Sequence, residues 1–149
     1  MGIKKVLVFG TFDGLHLGHE SFLKQARALG DELHVVIARD ETVTKVKGKE
    51  PEFKELDRLH LLKNDESVTE AHLGNLDDKY KIIGKVKPDI IALGYDQFVF
   101  TYRLHKVLID FKLNAEIVRL DAYKPNIYKS SLMDKKKSSS GLNYALNTP

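Results

Sequence analysis

Residues 6–19 read VLVFGTFDGLHLGH, and they decide how the rest of this chain is understood. Val6-Leu7-Val8-Phe9 is a short apolar run with no polar alternation, closed by Gly10, as expected for a strand buried on both faces. Downstream, Phe22, Leu23, Ala26 and Leu29 recur at helical spacing, and Gly30 stands where a C-terminal glycine cap would end the segment. Strand, glycine-rich loop and helix therefore follow one another within thirty residues. A helix start offers unpaired N–H groups and a partial positive charge, both suited to a phosphate. Gly10 and Gly14 would let the backbone approach that phosphate without interference from a Cβ. His16 and His19, three residues apart, can both aim at one anion and donate hydrogen bonds to its oxygens. The loop matches neither GxxxxGK[ST] nor GxGxxG, so it is a different kind of anion site. Other readings of the two histidines are capping or surface roles, or metal ligation, for which no third ligand is evident nearby.

The same alternation continues along the chain. Leu33–Ala38 reads as a second strand, and Asp40 can cap a short helix over Glu41–Val46 that is broken by Gly48–Pro51. Glu55–Lys63 forms a helix with Leu56, Leu59 and Leu62 on one face, and Ser67–Leu73 is a weaker third strand. A further helix starts at Asp77 with Tyr80, Ile83 and Val86 inward, leading to a strand over Ile90–Leu93 that ends at Gly94. Tyr102–Phe111 reads as a helix with Leu104, Val107, Leu108 and Phe111 toward the core, and Ala115–Leu120 as a fifth strand. Strands alternating with helices predict an α/β fold: a doubly wound, Rossmann-like, parallel five-stranded sheet with helices on both faces, in a single domain. Ligands bind such sheets beyond the carboxyl ends of the strands, where the chain order reverses, which singles out Gly10 and Gly94.

Composition narrows the class. At 149 residues one domain is the simplest division, here residues 1–137, with the small and polar segment 138–149 as a flexible C-terminal tail. The N-terminal apolar run is too short for a signal peptide, and no stretch approaches the roughly 20 apolar residues of a membrane span, so a cytoplasmic location is expected. With no cysteine, thiolate metal sites and disulfides are excluded. Any metal must be held by oxygen, imidazole or the substrate, which favours Mg²⁺ or a similar ion. The net charge of +3 is small enough for Lys135-Lys136-Lys137 alone to supply it, and the basic residues lie among acids rather than among exposed aromatics. Nucleic-acid binding is therefore not indicated.

GTFDGLHLGH resembles the HxGH signature of the cytidylyltransferase-like nucleotidyltransferases, small doubly wound domains that transfer a nucleoside monophosphate to a phosphorylated acceptor. The resemblance spans nearly the whole chain. Ala38–Val43 followed by Lys45, Lys47 and Gly48 resembles the lysine-bearing loop of that family, and Arg58 falls where its arginine helix follows. Gly94-Tyr95-Asp96-Gln97 resembles the G-x-D-Q segment that contacts adenosine in the archaeal FAD synthase branch. Val118-Arg119 through Tyr123-Lys124, and Lys129-Ser130-Ser131, resemble the closing segment of that branch, whose serines stand at a helix start near the triphosphate.

The resemblance implies transfer of AMP from ATP to FMN, giving FAD and pyrophosphate. It implies His16, His19, Lys45 and Lys47 as catalytic residues. Gly10, Thr11, Phe12, Leu17, Gly18, Gly94, Asp96, Tyr123, Ser130 and Ser131 join the two histidines in nucleotide binding. A divalent cation, Mg²⁺ or similar, would be held mainly by substrate phosphates and not by protein ligands. ATP and FMN are the implied partners, without nucleic acid or membrane, and a homodimer is the assembly to test. The branch carries cysteines near its C-terminus and this chain has none, so no redox or metal property tied to them is carried over. A cytidylyltransferase acting on glycerol phosphate or a sugar phosphate would share the His16/His19 site, and a non-catalytic nucleotide sensor would keep the loop. Plainer readings stand beside these roles: Lys45 and Lys47 as a solvated face, Asp96 as a helix cap, Ser130 and Ser131 as an N-cap, and Tyr123 as core. Arg58 would pair with Glu55 or Asp65 or meet the triphosphate. His34, His60, His72 and His105 are assigned to structure or surface.

Overall fold

The computed structural model describes residues 2–15, 17–78, 80–94 and 98–121. The elements run β1 Lys5–Gly10, α1 Leu17–Arg27, β2 Glu32–Ile37, α2 Asp40–Lys47, α3 Glu55–Lys63, β3 Glu70–Leu73, α4 Lys81–Val86, β4 Ile90–Leu93, α5 Phe98–Asp110 and β5 Glu116–Arg119. The five strands form one parallel sheet in the order β3-β2-β1-β4-β5. This is the doubly wound arrangement expected from the alternation of strands and helices.

Both faces of the sheet are covered, which is why β1 reads as a continuous apolar run. On one face Val6, Val8, Leu33, Val35 and Ile37 pack with Phe22, Leu23 and Ala26 of α1 and Leu62 of α3. On the other, Leu7, Phe9, Val36, Ile91 and Leu93 meet Ile82, Ile83 and Val86 of α4 and Leu104 and Leu108 of α5. The chain leaves β1 toward β2 on one side, and after β3 it crosses back to place β4 on the other side of β1. The order thus reverses at β1. Its ladder with β2 runs the length of the strand, from Lys5↔Glu32 to Gly10↔Ile37, whereas the ladder with β4 holds Val6↔Ile90 and Leu7↔Ile91. The same offset carried to the strand ends sets Gly94 level with Gly10, so the two glycine-marked ends flank the switch point.

Several local expectations are corrected. The third strand begins at Glu70, because Asp65 turns the chain first: its carboxylate accepts the Ser67 N–H at 2.9 Å and its carbonyl the Val68 N–H at 3.1 Å. In α3 Leu56 is 66% exposed, and Arg58 and Leu62 are the buried positions. The three leucines drift around the helix at successive spacings of three, so Leu56 and Leu62 do not share a face. Asp40 is not the cap of α2: Arg39 occupies that position without a side-chain capping bond, and the Asp40 N–H donates to Glu55 Oε1 at 2.8 Å. α4 begins at Lys81 rather than Asp77, after a turn in which the Tyr80 N–H donates to Asp78 Oδ1 at 3.0 Å. Tyr80, Ile83 and Val86 do pack inward. Phe111 lies just past α5 and is 40% exposed, its ring leaning on Gly84. Gly30 is not left-handed; a Cβ there would meet the Lys4 carbonyl oxygen at 2.8 Å, so close packing is what calls for glycine.

Candidate active site

Beyond β1 the loop is shaped by Phe12. Its φ is +51°, uncommon for a residue with a side chain, and its ring is 1% exposed. The ring lies under Gly10, where a Cβ would come within 2.6 Å of it. Gly10 is therefore required by this aromatic plug, a reason the phosphate reading did not contain. Gly14 is left-handed at φ +85°, with its N–H donating to the Phe12 carbonyl at 2.9 Å. The Asp13 carboxylate accepts the Glu52 and Phe53 N–H groups at 2.7 and 2.8 Å, fastening the loop to the segment before α3.

His19 sits in the first turn of α1 and is 4% exposed. Its Nδ1–H donates to the Gly14 carbonyl at 3.0 Å, and its ring stands edge-on to Phe12 with centroids 5.2 Å apart. Loop backbone and aromatic plug together fix the imidazole at the start of the helix, with Gly18 beside it and Thr11 buried behind. Leu17 is the first residue of α1.

Arg58 holds the floor of the site. It is fully buried, with Nη1 donating to the carbonyls of Thr11 at 2.9 Å and Ala38 at 2.8 Å, Nη2 to Asp40 Oδ1 at 2.8 Å, and Nε to the Phe53 carbonyl at 3.0 Å. One planar guanidinium thus ties the ends of β1 and β2 to the start of α2 and the approach to α3. These partners replace the Glu55, Asp65 or triphosphate expected for it. Glu55 instead accepts from Arg39 Nη1 at 3.1 Å besides capping α2. Burial alone would raise the Asp40 carboxyl pKa; the Arg58 hydrogen bond and the Glu55 backbone outweigh it and hold the group below the ordinary aspartate value.

A recess of about 160 Å³ opens between the ends of β1 and β2 and α2, lined among others by Gly10, Thr11, Ala38, Val43 and Lys47. Lys47 borders it, and partial burial pulls its ammonium pKa below the usual lysine value, with Asp13 opposing. Lys45 points elsewhere: its side chain is 77% exposed and lies 3.9 Å from Glu41 on the outer face of α2. On the other flank Arg119 Nη1 donates to the Gly94 carbonyl at 2.8 Å, securing the end of β4. Gly10, Thr11, Phe12, Gly18, His19, Lys47 and Gly94 are therefore gathered around the carboxyl ends of β1, β2 and β4, and Lys45 is not. His16, Asp96, Tyr123, Ser130 and Ser131, and the tail 138–149 with its boundary at 137, lie outside the described residues. Asp13 was missed by the sequence reading, although an Asp-Gly pair is a recognised turn signal.

The cytidylyltransferase-like family model matches residues 7–140. The chain belongs to the cytidylyltransferase-like family. Within that family it is 44% identical over 132 residues to an FAD synthase of Thermoplasma acidophilum, covering 89% of this chain and 92% of the relative. It is 49% identical over 119 residues to an FAD synthase of Methanosarcina mazei, covering 79% and 77%. A crystal structure from Thermoplasma volcanium, described as a lipopolysaccharide core biosynthesis protein, matches with a TM-score of 0.77 at 43% identity over 83% of this chain and 100% of that one. The cytidylyltransferase-like fold is thus shared with a solved structure at appreciable identity.

Proposed function

We infer that the chain is a nucleotidyltransferase that transfers AMP from ATP to FMN, releasing FAD and pyrophosphate. The observation that carries this reading is 41–49% identity to FAD synthases across most of the chain. A phosphate oxygen of FMN attacks the α-phosphorus of ATP, a new P–O bond forms, and the bond to the bridging oxygen breaks as pyrophosphate leaves. No covalent intermediate is needed, because phosphoryl transfer depends chiefly on positioning and charge stabilisation.

The site geometry supports that assignment of labour. His19 spends Nδ1–H on Gly14, and Nε2 is proposed as the nitrogen that donates to a phosphate oxygen when the ring carries both protons. His16 is proposed to share this role, and Lys47, bordering the recess, to offset charge on the departing pyrophosphate. Gly10, Thr11, Phe12, Leu17 and Gly18 shape the triphosphate site; Gly94, Asp96, Tyr123, Ser130 and Ser131 are proposed to complete the nucleotide site. Asp13 is committed to backbone amides and Asp40 to Arg58, which fits a divalent ion held by substrate phosphates and not by these carboxylates. When bound there, Mg²⁺ neutralises part of the phosphate charge. A cytoplasmic setting and a homodimer go with this proposal. Among the described residues no helix is long and apolar enough to cross a membrane.

A second reading has one observation in its favour: the solved relative is described by lipopolysaccharide core biosynthesis, which suits a sugar phosphate acceptor. Pyrophosphate release in Mg²⁺ with ATP or CTP, each with and without FMN, separates the two. Release is expected with ATP plus FMN. Release confined to CTP overturns the FAD reading, and silence in every mixture points to a nucleotide sensor. With ATP and FMN, His19→Ala is expected to lower turnover by about 10²- to 10³-fold, the usual cost of losing one preorganised donor; a loss within about threefold removes His19 from the machinery.

A further inference from the structure

The sheet carries a second group of histidines, on the face opposite α1. His34 pairs with Leu7 and Glu70 in the registers of β2 with β1 and β3, three residues before β2 ends. His72 lies two residues beyond Glu70 on the edge strand β3, so both imidazoles fall on the face covered by α4. His34 Nδ1 is 3.4 Å from His72 Nε2, and His72 Nε2 is 3.6 Å from Glu70 Oε1. On its far side His34 Nε2–H donates to Glu32 Oε1 at 2.9 Å, which places the His34 lone pair on Nδ1, toward His72. One carboxylate thus sets the tautomer and orientation of an imidazole, as outer-shell carboxylates do for metal-ligating histidines.

The spacing is that of a coordination edge. Two ligand atoms about 2.1 Å from a tetrahedral zinc stand about 3.4 Å apart. The His34–His72 separation matches this distance; the two nitrogens face each other nearly head-on, with the rings 10° apart and their centroids at 5.7 Å, so a small turn of the imidazoles brings both lone pairs onto one ion. All three ligand atoms lie within 4.8 Å of one another, and Glu70, with a side chain 59% exposed, has the freedom to draw in its carboxylate. His72 also borders a recess of about 420 Å³ shared with Asn75, Lys81 and Lys85, which gives solvent access to a fourth coordination position.

We propose that His34 Nδ1, His72 Nε2 and Glu70 form a zinc site with one solvent ligand, oriented by Glu32, that clamps the edge strand β3 to β2. It is distinct from the phosphate-bound ion of the transfer reaction, since its ligands are imidazoles on the sheet face and not oxygens at the strand ends. The ligand set of two imidazoles and one carboxylate favours zinc over magnesium.

The test uses the full chain, loaded with Zn²⁺ in the presence of excess Mg²⁺, then desalted and assayed for bound metal. One zinc per chain is expected in the wild type and in His60→Gln, with loss in His72→Gln and Glu70→Gln. Co²⁺ in place of zinc should give the intense visible absorption of a tetrahedral ion, absent in His72→Gln. Glu32→Gln keeps the ligands and should weaken zinc binding by about 10- to 100-fold. Zinc should raise the thermal midpoint of the wild type and not of His72→Gln, while FAD synthesis in Mg²⁺ is unchanged in that variant. His72 and Glu70 are partly exposed, so these variants fold even if His34→Gln does not. Wild-type protein that retains no zinc, equal retention by His72→Gln, or a weak octahedral Co²⁺ spectrum overturns the proposal.

Discussion

Arg58 spends all its described bonds on holding the site together. Replacing it by Met keeps much of the volume and leaves the Thr11 and Ala38 carbonyls and the Asp40 carboxylate without their donor. Leaving a buried carbonyl without its donor costs about 1–3 kcal/mol, while Asp40, with a third of its side chain exposed, can be rehydrated; Arg58→Met should therefore shift the urea midpoint downward, and an unchanged midpoint would mean that water replaces the guanidinium. Asp40 ties this cost to pH. Its native pKa lies below the unfolded value, so its contribution is complete above about pH 4 and is lost as pH falls through the lower native pKa. Thermal midpoints measured from pH 5 to 2 should fall less steeply in Asp40→Asn than in the wild type. The identity of Arg58 was plain in the chain, but its burial was not: an arginine between leucines on a helix has the local signature of a polar face.

α2 shows how an element sorts residues that look equivalent in one dimension. Lys45 and Lys47 are two positions apart, which on a helix is about 200° of rotation, so they cannot serve the same site. Lys47 borders the recess, and Lys45 makes an exposed pair with Glu41 of a kind that contributes little. Lys47→Ala should lower kcat/KM at least about tenfold, whereas Lys45→Ala should stay within about twofold; steady-state rates with ATP and FMN decide this, and the reverse order would reassign the catalytic lysine. Glu55, reaching from α3 to the first N–H of α2, sets how that helix meets the strand ends. A cap supplied from another helix leaves no capping pattern in the sequence, which is why the local pattern points to Asp40.

For the whole molecule, binding at the switch point couples the strand ends and must appear as stability. A nucleotide at about 100 times its dissociation constant adds about 2.7 kcal/mol, equivalent to a rise of roughly 5–10 °C in the thermal midpoint of a chain this size. ATP with Mg²⁺ should produce that rise and CTP a smaller one. Equal shifts would detach base selectivity from the AMP-transfer reading. The alternation of five strands with helices and the loop at Gly10–His19 were legible in the chain because apolar periodicity, glycine placement and helix starts are local properties that adjacent residues express together. Strand order, the plug that makes Gly10 necessary, the burial of Arg58 and the meeting of His34 with His72 were decided only in three dimensions. Each depends on register and on contacts between residues far apart in sequence, where no local preference reaches.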